Sequence, residues 1–338
     1  MRGAPSRLKL YLPPPVKPHL KVILSQPSIS VVLPTFNCRP LMARHLESME
    51  EWLDLAHEIV VVDSRSKDGT LDLIRSRLRH PRLRIIERDR GLYASWNEGI
   101  AATTGDWIYV STAGDTIKRD QLERLRRCGE ASRADVVISP CEFVDEEGLA
   151  LPVKARSNPR IHLEVGGSGP VLLPPQVVRH LAFRSAGTHA LLGSCASDLF
   201  RGDFLRARPF PVDYGTHGDT AWTLRHAHET RLCVVPEIGS TFCIHAKETT
   251  EPKSALMVTL DRMFETEFRA CGPAAEGELA LSVRGLMRRR REGWHVRRSA
   301  IDWMSANLRY IPLRAALGLR EKRSWKRLRR LIAAVEIT

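Results

Sequence analysis

What this sequence lacks narrows its function before any motif is read. Its seven cysteines in 338 residues form no Cys-x-x-Cys pair, which excludes the common structural zinc spacings and argues for free thiols in a reducing compartment rather than a disulfide framework. No stretch is as long as the roughly 18 consecutive apolar residues that mark a membrane-spanning helix. The start of the chain has Arg2, Arg7 and Lys9, but Pro13-Pro14-Pro15 follows in place of an apolar segment, so no signal peptide is expected. No Gly-x-Gly-x-x-Gly and no Gly-x-x-x-x-Gly-Lys follows any predicted strand, which removes the dinucleotide fingerprint and the P-loop. Acid is scarce at both ends. Residues 1–27 hold five Lys/Arg and no acid, and residues 278–338 hold sixteen Lys/Arg against five acids. With a net charge of +13 for the whole chain, the body between those ends is about −3. Basic ends on a near-neutral body point to contact with something anionic, nucleic acid or an acidic membrane surface. The plainer alternative is a solvated charged surface.

What is present is an alternation of strands and helices. Residues 29–33 are a short β-branched run closed by Pro34 and the loop Pro34-Thr-Phe-Asn37. Pro40 then suits a first helical turn, and Met42, Leu46, Met49 and Leu53 recur at helical spacing. A second unit follows: an apolar strand at 58–62, the loop Asp63-Ser-Arg-Ser-Lys-Asp-Gly-Thr70, and a helix with Leu71, Ile74 and Leu78 on one face, for which Thr70 is the expected N-cap. A third strand is predicted at 83–86, a third helix at 93–103 and a fourth strand at 107–111. Short loops between alternating strands and helices imply right-handed crossovers, hence an α/β fold with a doubly wound, mostly parallel sheet and helices on both faces. In such a sheet ligands bind beyond the carboxyl ends of the strands, so the loops starting at Pro34, Asp63, Arg88 and Thr112 should converge on one edge.

Past Asp115 the pattern loosens. The sequence predicts a helix at 118–128, a strand at 135–139, antiparallel strands within 141–153, a Gly/Pro-rich substrate-facing region at 158–175, short helices at 198–205 and 220–227, and strands at 231–235 and 241–245. In the tail, Trp325, Leu328, Leu331, Ile332 and Val335 fall on one helical face and Lys322, Arg323, Lys326, Arg327, Arg329 and Arg330 cover the rest. Two readings stay open: an interfacial membrane helix, and a helix packed back on the body with a solvated basic face.

Four blocks in order, Val31-Val-Leu-Pro-Thr-Phe-Asn37, Val60-Val-Val-Asp-Ser-Arg-Ser-Lys-Asp-Gly-Thr70, Asp89-Arg-Gly-Leu-Tyr-Ala-Ser-Trp-Asn-Glu-Gly-Ile100 and the strand ending in Gly114-Asp115, resemble the signature of family 2 glycosyltransferases with the GT-A fold. The resemblance implies three segments: a basic leader at 1–27, a GT-A domain at 28–250 whose nucleotide-binding half is 28–117 and acceptor half 118–250, and a basic helical tail at 251–338. It implies inverting transfer of a sugar from a nucleoside-diphosphate sugar, UDP by default, to a glycan or lipid-linked acceptor in surface-glycan synthesis. It also implies a divalent metal, Mn²⁺ or Mg²⁺, and a cytoplasmic, membrane-peripheral enzyme with no nucleic-acid partner.

On this chain the donor would be held by Pro34, Thr35, Asn37, Asp63, Arg90, Gly114 and Asp115, with Asp115 also on the metal. A carboxylate at a strand tip holding a cation against a departing diphosphate is sound chemistry. The family commonly carries an acid-x-acid element here, whereas this chain reads Thr112-Ala-Gly-Asp115, with one carboxylate left. Asp68 reads as the turn-former of its Asp-Gly pair, and Asn97 as a brace for the loop. Inverting transfer needs a base, and the stretch His217-Gly-Asp-Thr-Ala-Trp222 resembles the family's late acidic element, so Asp219 is the expected base; capping the following helix is its structural alternative. His245 is a candidate second metal ligand, against the reading of a structural histidine after an apolar strand. Three other functions are weighed: a nucleotidyltransferase, which would need a Gly-rich basic loop after the first strand; a non-catalytic family member; and a basic nucleic-acid-binding protein, disfavoured by the near-neutral body.

Overall fold

The computed structural model describes residues 26–151, 165, 168–185, 191–193, 195–245, 259, 262–263, 266–267 and 325–337. Its first half is built from repeated strand-helix units. The strands β1 (Ile29–Thr35), β2 (Ala56–Asp63), β3 (Leu83–Glu87) and β4 (Trp107–Val110) are joined through α1 (Arg39–Met49), α2 (Thr70–Arg77) and α3 (Leu92–Ala101). All three pairings among these strands are parallel, with β1 between β2 and β4. The apolar runs read as strands because both faces are covered: alternate residues of β1 go to opposite cores. Val31 and Leu33 pack with Met42, Leu46 and Met49 of α1, while Val32 packs with Trp96 and Ile100 of α3.

After β5 (Thr116–Ile117), α4 (Arg119–Ser132) leads into β6 (Val136–Ile138). Further along come β7 (Glu142–Val144), β8 (Val171–Leu173), α5 (Pro175–Ser185), β9 (Asp198–Arg201), α6 (Gly202–Arg206), α7 (Gly218–His226), β10 (Leu232–Val234), β11 (Ser240–Cys243) and β12 (Ala333–Ala334). The main sheet has nine strands in the order β12-β8-β10-β6-β9-β4-β1-β2-β3, and a small sheet has the order β5-β11-β7. In the main sheet all but β8 and β9 run the same way, so the expected mostly parallel sheet with helices on both faces is what the chain forms.

Several local expectations are corrected. Residues 198–205 are predicted as a helix, but Asp198–Arg201 is the strand β9, wedged antiparallel between β4 and β6. Leu199 and Phe200 go to opposite cores, an alternation too brief to stand out against the helix that follows. The N-cap of α2 is Gly69 in a left-handed conformation, not Thr70; Asp68 accepts the Thr70 N–H and hydroxyl, so the carboxylate has taken the capping job. Likewise Asp219 is not the N-cap of α7, which starts one residue earlier after His217.

Within 141–151 the expected antiparallel pairing is present as the bridge Val144 with Ala150, flanked by Leu151 N–H to the Phe143 carbonyl and Asp145 N–H to the Leu149 carbonyl, while the other edge of β7 pairs parallel with β11. The region 158–175 contains β8. In the tail, helix gives way at Arg329–Leu331 to a 3₁₀ turn and then to β12, which pairs with β8. Trp325, Leu328 and Ile332 pack on the core and Trp325 stacks on His180 at 5.6 Å, so the described part of the tail follows the packed-back reading. The leader up to residue 25 and most of 251–324 lie outside the described residues. No helix among the described residues is long and apolar enough to cross a membrane.

The edge opposite the strand tips is tied by Glu58, a buried carboxylate on β2. It accepts hydrogen bonds from the Ser30 hydroxyl at 2.7 Å, from the Thr104 N–H and hydroxyl, and from Arg84. Burial alone would raise this carboxyl, but those donors and the Arg84 charge outweigh it and hold it down at about 2. Stability from a depressed carboxyl is present above its ordinary value of 4.5 and is lost as pH falls toward 2. Glu58→Gln should therefore cost about 1.5–3 kcal/mol at neutral pH. Denaturant melts should show the deficit shrinking as pH falls through that window; a deficit constant with pH would mean the carboxylate is not what ties this edge.

Candidate active site

The tips of β1 and β2 are locked into one unit. The Thr35 hydroxyl donates to Asp63 Oδ1 at 2.8 Å, the Ser66 hydroxyl donates to the same oxygen at 2.7 Å, and the Ser66 N–H donates to Oδ2 at 2.8 Å. Asp63 is buried, so these donors hold a carboxylate that water does not reach well, and its remaining lone pairs can take an N–H from a ligand base. Asn37, left-handed at φ 46°, stitches the two loops: its N–H donates to Ser66 Oγ and its side-chain oxygen accepts from the Lys67 N–H. Pro34 pairs in register with Val62 and sits half-buried at the base of the same tip. Asp68 binds the Arg39 N–H besides the groups of Thr70, the structural role expected of it.

Arg90 is exposed and lies over the Phe36 ring at 4.6 Å. Phe36, itself 38% exposed, is a residue that sequence reasoning passed over; a large aromatic in the polar loop beyond a buried strand was the available signal.

The second group gathers at the end of β4. Asp115 is buried, its Oδ1 accepting the Cys243 N–H at 2.8 Å and its Oδ2 the Thr112 hydroxyl. Gly114 has φ 95°, and a Cβ there would stand 3.2 Å from both Cys243 Cβ and Leu41 Cδ1; only glycine suits that backbone in that space. His45 of α1 donates from Nδ1 to the Asp115 carbonyl at 2.8 Å, and its Nε2 faces the Ser111 hydroxyl at 3.0 Å. Burial, outweighing the Asp115 carbonyl, lowers the His45 imidazole to about 4, so it is neutral at physiological pH. Next to it, Arg44 reaches the Gly114 carbonyl.

A carboxylate oxygen can take more than one partner, and a divalent ion carried mainly by a diphosphate needs only one or two protein carboxylates. The donor set therefore fits a cation of that kind. It does not make a protein-only cage, since the described residues contain no group of three or more His, Cys, Asp and Glu side chains able to hold a metal. His245 is half-buried, two residues beyond Cys243, on the segment whose backbone binds Asp115.

The third group belongs to the acceptor half. Asp219 lies in the first turn of α7, half-buried, with its Oδ1 accepting the Thr220 N–H at 2.6 Å. Burial raises its carboxyl, partly offset by that N–H, by the His217 charge and by the Tyr93 hydroxyl. Gly218 lets α7 press against α3: a Cβ there would fall 2.3 Å from the Tyr93 ring. The approach is fixed from both sides, because Tyr93 donates to the Thr216 carbonyl at 3.2 Å and Asn97 makes paired hydrogen bonds to the Phe210 backbone, each 2.8 Å. Asn97 thus braces the loop leading to Asp219. The far end of α7 is anchored by Arg225, which binds the buried Glu267 through two nitrogens.

Beneath Asp219 lies Asp198, at the start of β9 and also missed by sequence reasoning. It is fully enclosed, with neither carboxylate oxygen partnered among the described residues. Burial, and then the Asp219 charge, pushes its carboxyl far above the ordinary range. Asp198 is enclosed, whereas Asp219 is half-open. Strand direction brings the groups together: Asp63 ends β2, Asp115 follows β4 and Asp198 begins the antiparallel β9, all at one edge of the sheet. Asp219 is near enough to Asp198 to raise its carboxyl.

This geometry has relatives. Residues 30–167 match the model of glycosyl transferase family 2. The chain is similar to the succinoglycan biosynthesis protein ExoO of Rhizobium meliloti, 29% identical over 161 residues, which is 47% of this chain and 44% of that protein. It is also similar to a PGL/p-HBAD biosynthesis glycosyltransferase of Mycobacterium bovis, 31% identical over 121 residues, 34% of this chain and 46% of that one. The chain thus matches less than half the length of these curated relatives. In structure it is similar to S. aureus TarS 1-349 solved with UDP-GlcNAc, with a TM-score of 0.54 at 15% identity over 76% of this chain and 71% of that one; this likeness concerns the fold.

Asp198 yields a prediction whose sign can be worked out. Below the ordinary carboxylate value of about 4, folded and unfolded chains are both protonated and the residue costs nothing. Above it the unfolded chain ionises while the enclosed carboxyl stays neutral, so the wild type loses stability as pH rises. Asp198→Asn, close in size and without that linkage, should gain on the wild type in melting temperature between about pH 4 and pH 8. A difference in melting temperature that stays flat across this range would show that the carboxyl is not held neutral.

Proposed function

We propose, from the match of residues 30–167 to the model of glycosyl transferase family 2, that this chain moves a sugar with inversion from a nucleoside-diphosphate sugar, UDP favoured, to a hydroxyl of a glycan or lipid-linked acceptor in surface-glycan synthesis. The observation that carries this is the meeting of Asp63, Asp115 and Asp219 at one edge of the sheet, with no Gly-rich loop after β1 that would serve a nucleotidyltransferase. Asp63, held by Thr35 and Ser66, takes the N–H of the base, with Pro34, Asn37, Phe36 and Arg90 forming the rest of that end. Gly114 and Asp115 take the diphosphate end. Asp219 removes the acceptor's hydroxyl proton as that oxygen bonds to the anomeric carbon and the bond to the diphosphate oxygen breaks, the electron pair leaving with the nucleotide.

Asp115, with His245 as a second ligand, would hold a divalent cation, Mn²⁺ or Mg²⁺, which would supply positive charge against the departing diphosphate. The donor set described above supports one carboxylate in that role. The transferred group is read as a hexosyl residue. The exposed side chains of Lys326, Arg329 and Arg330 beside β12 support contact with an anionic membrane surface at the cytoplasmic face.

Calorimetry with UDP and Mn²⁺ should show binding that is lost in Asp115→Ala, whereas Asp219→Asn should bind like the wild type and lose about 100-fold or more in kcat. The raised Asp219 carboxyl should place the acid limb of the wild-type rate profile above the usual aspartate range of about 4. The replacement of acids by Thr112 and Gly114 favours one other reading, a protein that binds donor without transferring it; sugar transfer or donor hydrolysis by the purified chain excludes it. No binding of any nucleoside diphosphate, with or without Mn²⁺, would overturn the proposal.

A further inference from the structure

We infer that His45 is a positioning residue for the donor's diphosphate: its imidazole brackets the turn from Ser111 to Asp115 and thereby sets where the single acidic side chain of that turn stands. The inference rests on the reading of Asp115 given above and adds to it a residue outside the motif blocks.

The bracket follows from the hydrogen bonds. A backbone carbonyl can only accept, so the 2.8 Å contact from His45 Nδ1 to the Asp115 oxygen puts the ring proton on Nδ1. Nε2 meets the Ser111 hydroxyl at 3.0 Å. The two contacts fall on the two ends of the turn, Ser111 directly after β4 and Asp115 directly before β5. The ring is 1% exposed, which keeps water from replacing either partner. Between the two ends lies Gly114 with its left-handed backbone, a residue that contributes no side-chain anchor of its own. The Asp115 side chain is held separately, by the Cys243 N–H and the Thr112 hydroxyl.

Backbone and carboxylate are thus fixed by independent donors, and His45 supplies the backbone part together with its neighbour Arg44 on the Gly114 carbonyl. With several acids at a strand tip, one misplaced ligand can be offset by the others. Here Thr112 and Gly114 leave a single carboxylate, so its placement decides the site. Groups that orient a ligand residue in this way are commonly worth ten- to a hundredfold in metal affinity.

The test uses the full chain, with UDP and Mn²⁺ as probes. His45→Leu keeps an apolar ring-sized filling and removes both contacts. His45→Gln retains one donor and one acceptor. Ser111→Ala removes only the partner of Nε2. Calorimetry should show the Mn²⁺ concentration needed for half-maximal UDP binding rising by about tenfold or more in His45→Leu, with part of it recovered in His45→Gln. UDP binding in EDTA should change little, and the rise should appear in KM for the donor rather than in the acid limb assigned to Asp219. A structural role alone would lower the melting temperature and leave the Mn²⁺ dependence of the folded fraction unchanged.

Should His45→Leu fail to fold, His45→Gln and Ser111→Ala decide: wild-type Mn²⁺ dependence in both overturns the inference. Loss of UDP binding in equal measure with and without Mn²⁺ overturns it too. A wild-type chain that binds no nucleotide overturns the reading of the site, and the inference with it.

Discussion

The candidate site depends on one ladder, the parallel pairing of β1 with β2 on one side and β4 on the other. Because the ladders are parallel, the ends of these strands fall at the same edge, and Thr35 stands in register with Asp63. A slip of one residue would turn Val31 and Leu33 away from α1 and move Thr35 off its partner. The burial of Val31, Val32 and Leu33 on both sides of the sheet is what forbids that slip. Hydrophobic burial by itself is indifferent to chemistry, yet here it fixes the register that places a hydroxyl 2.8 Å from a carboxylate.

Four buried or half-buried acids near that edge differ in how fully they are satisfied, and the difference sorts their roles. Asp63 accepts three hydrogen bonds and belongs to the framework as much as to a ligand. Asp115 accepts from a neighbouring strand's backbone and from its own turn, which holds it still. Asp219 takes the Thr220 N–H in a half-open position, a setting for a group that must accept a proton. Asp198 accepts none among the described residues, so it stays neutral. An anion at Asp198 would stand unscreened near Asp219; its protonation leaves the negative charge of the pair on the member that solvent can reach.

Much of the nucleotide half was legible in the sequence, for a physical reason. Strands buried on both faces read as continuous apolar runs, and their loops announce themselves through Pro34, the Asp68-Gly69 pair and Gly91. The same cues put Asp63 and Asp115 at strand ends. The acceptor half was less legible because its order comes from contacts distant in sequence. β9 is a strand only because β4 and β6 flank it, and the tail ends in β12 only because β8 offers an edge. His45 illustrates a different limit. It shares a helix face with Met42, Leu46 and Met49, so by spacing it reads as a core position, and its function lies in two hydrogen bonds to residues 66 and 70 positions away.

The two sides of the sheet divide the work. α1 lies on the face with Tyr109 and Trp52 and delivers His45 and Arg44 to the back of the β4 turn. On the other face α3 and α7 meet through Tyr93, Phe210 and Trp222 and set the height of Asp219. The β4 turn with Asp115 is therefore positioned from one core and Asp219 from the other, with the sheet as the common reference. Packing changes in the Tyr93 cluster can shift Asp219 relative to the sheet without touching the β4 turn, and changes around α1 can shift the turn without moving Asp219, because the two are held from opposite faces of strands whose register is fixed.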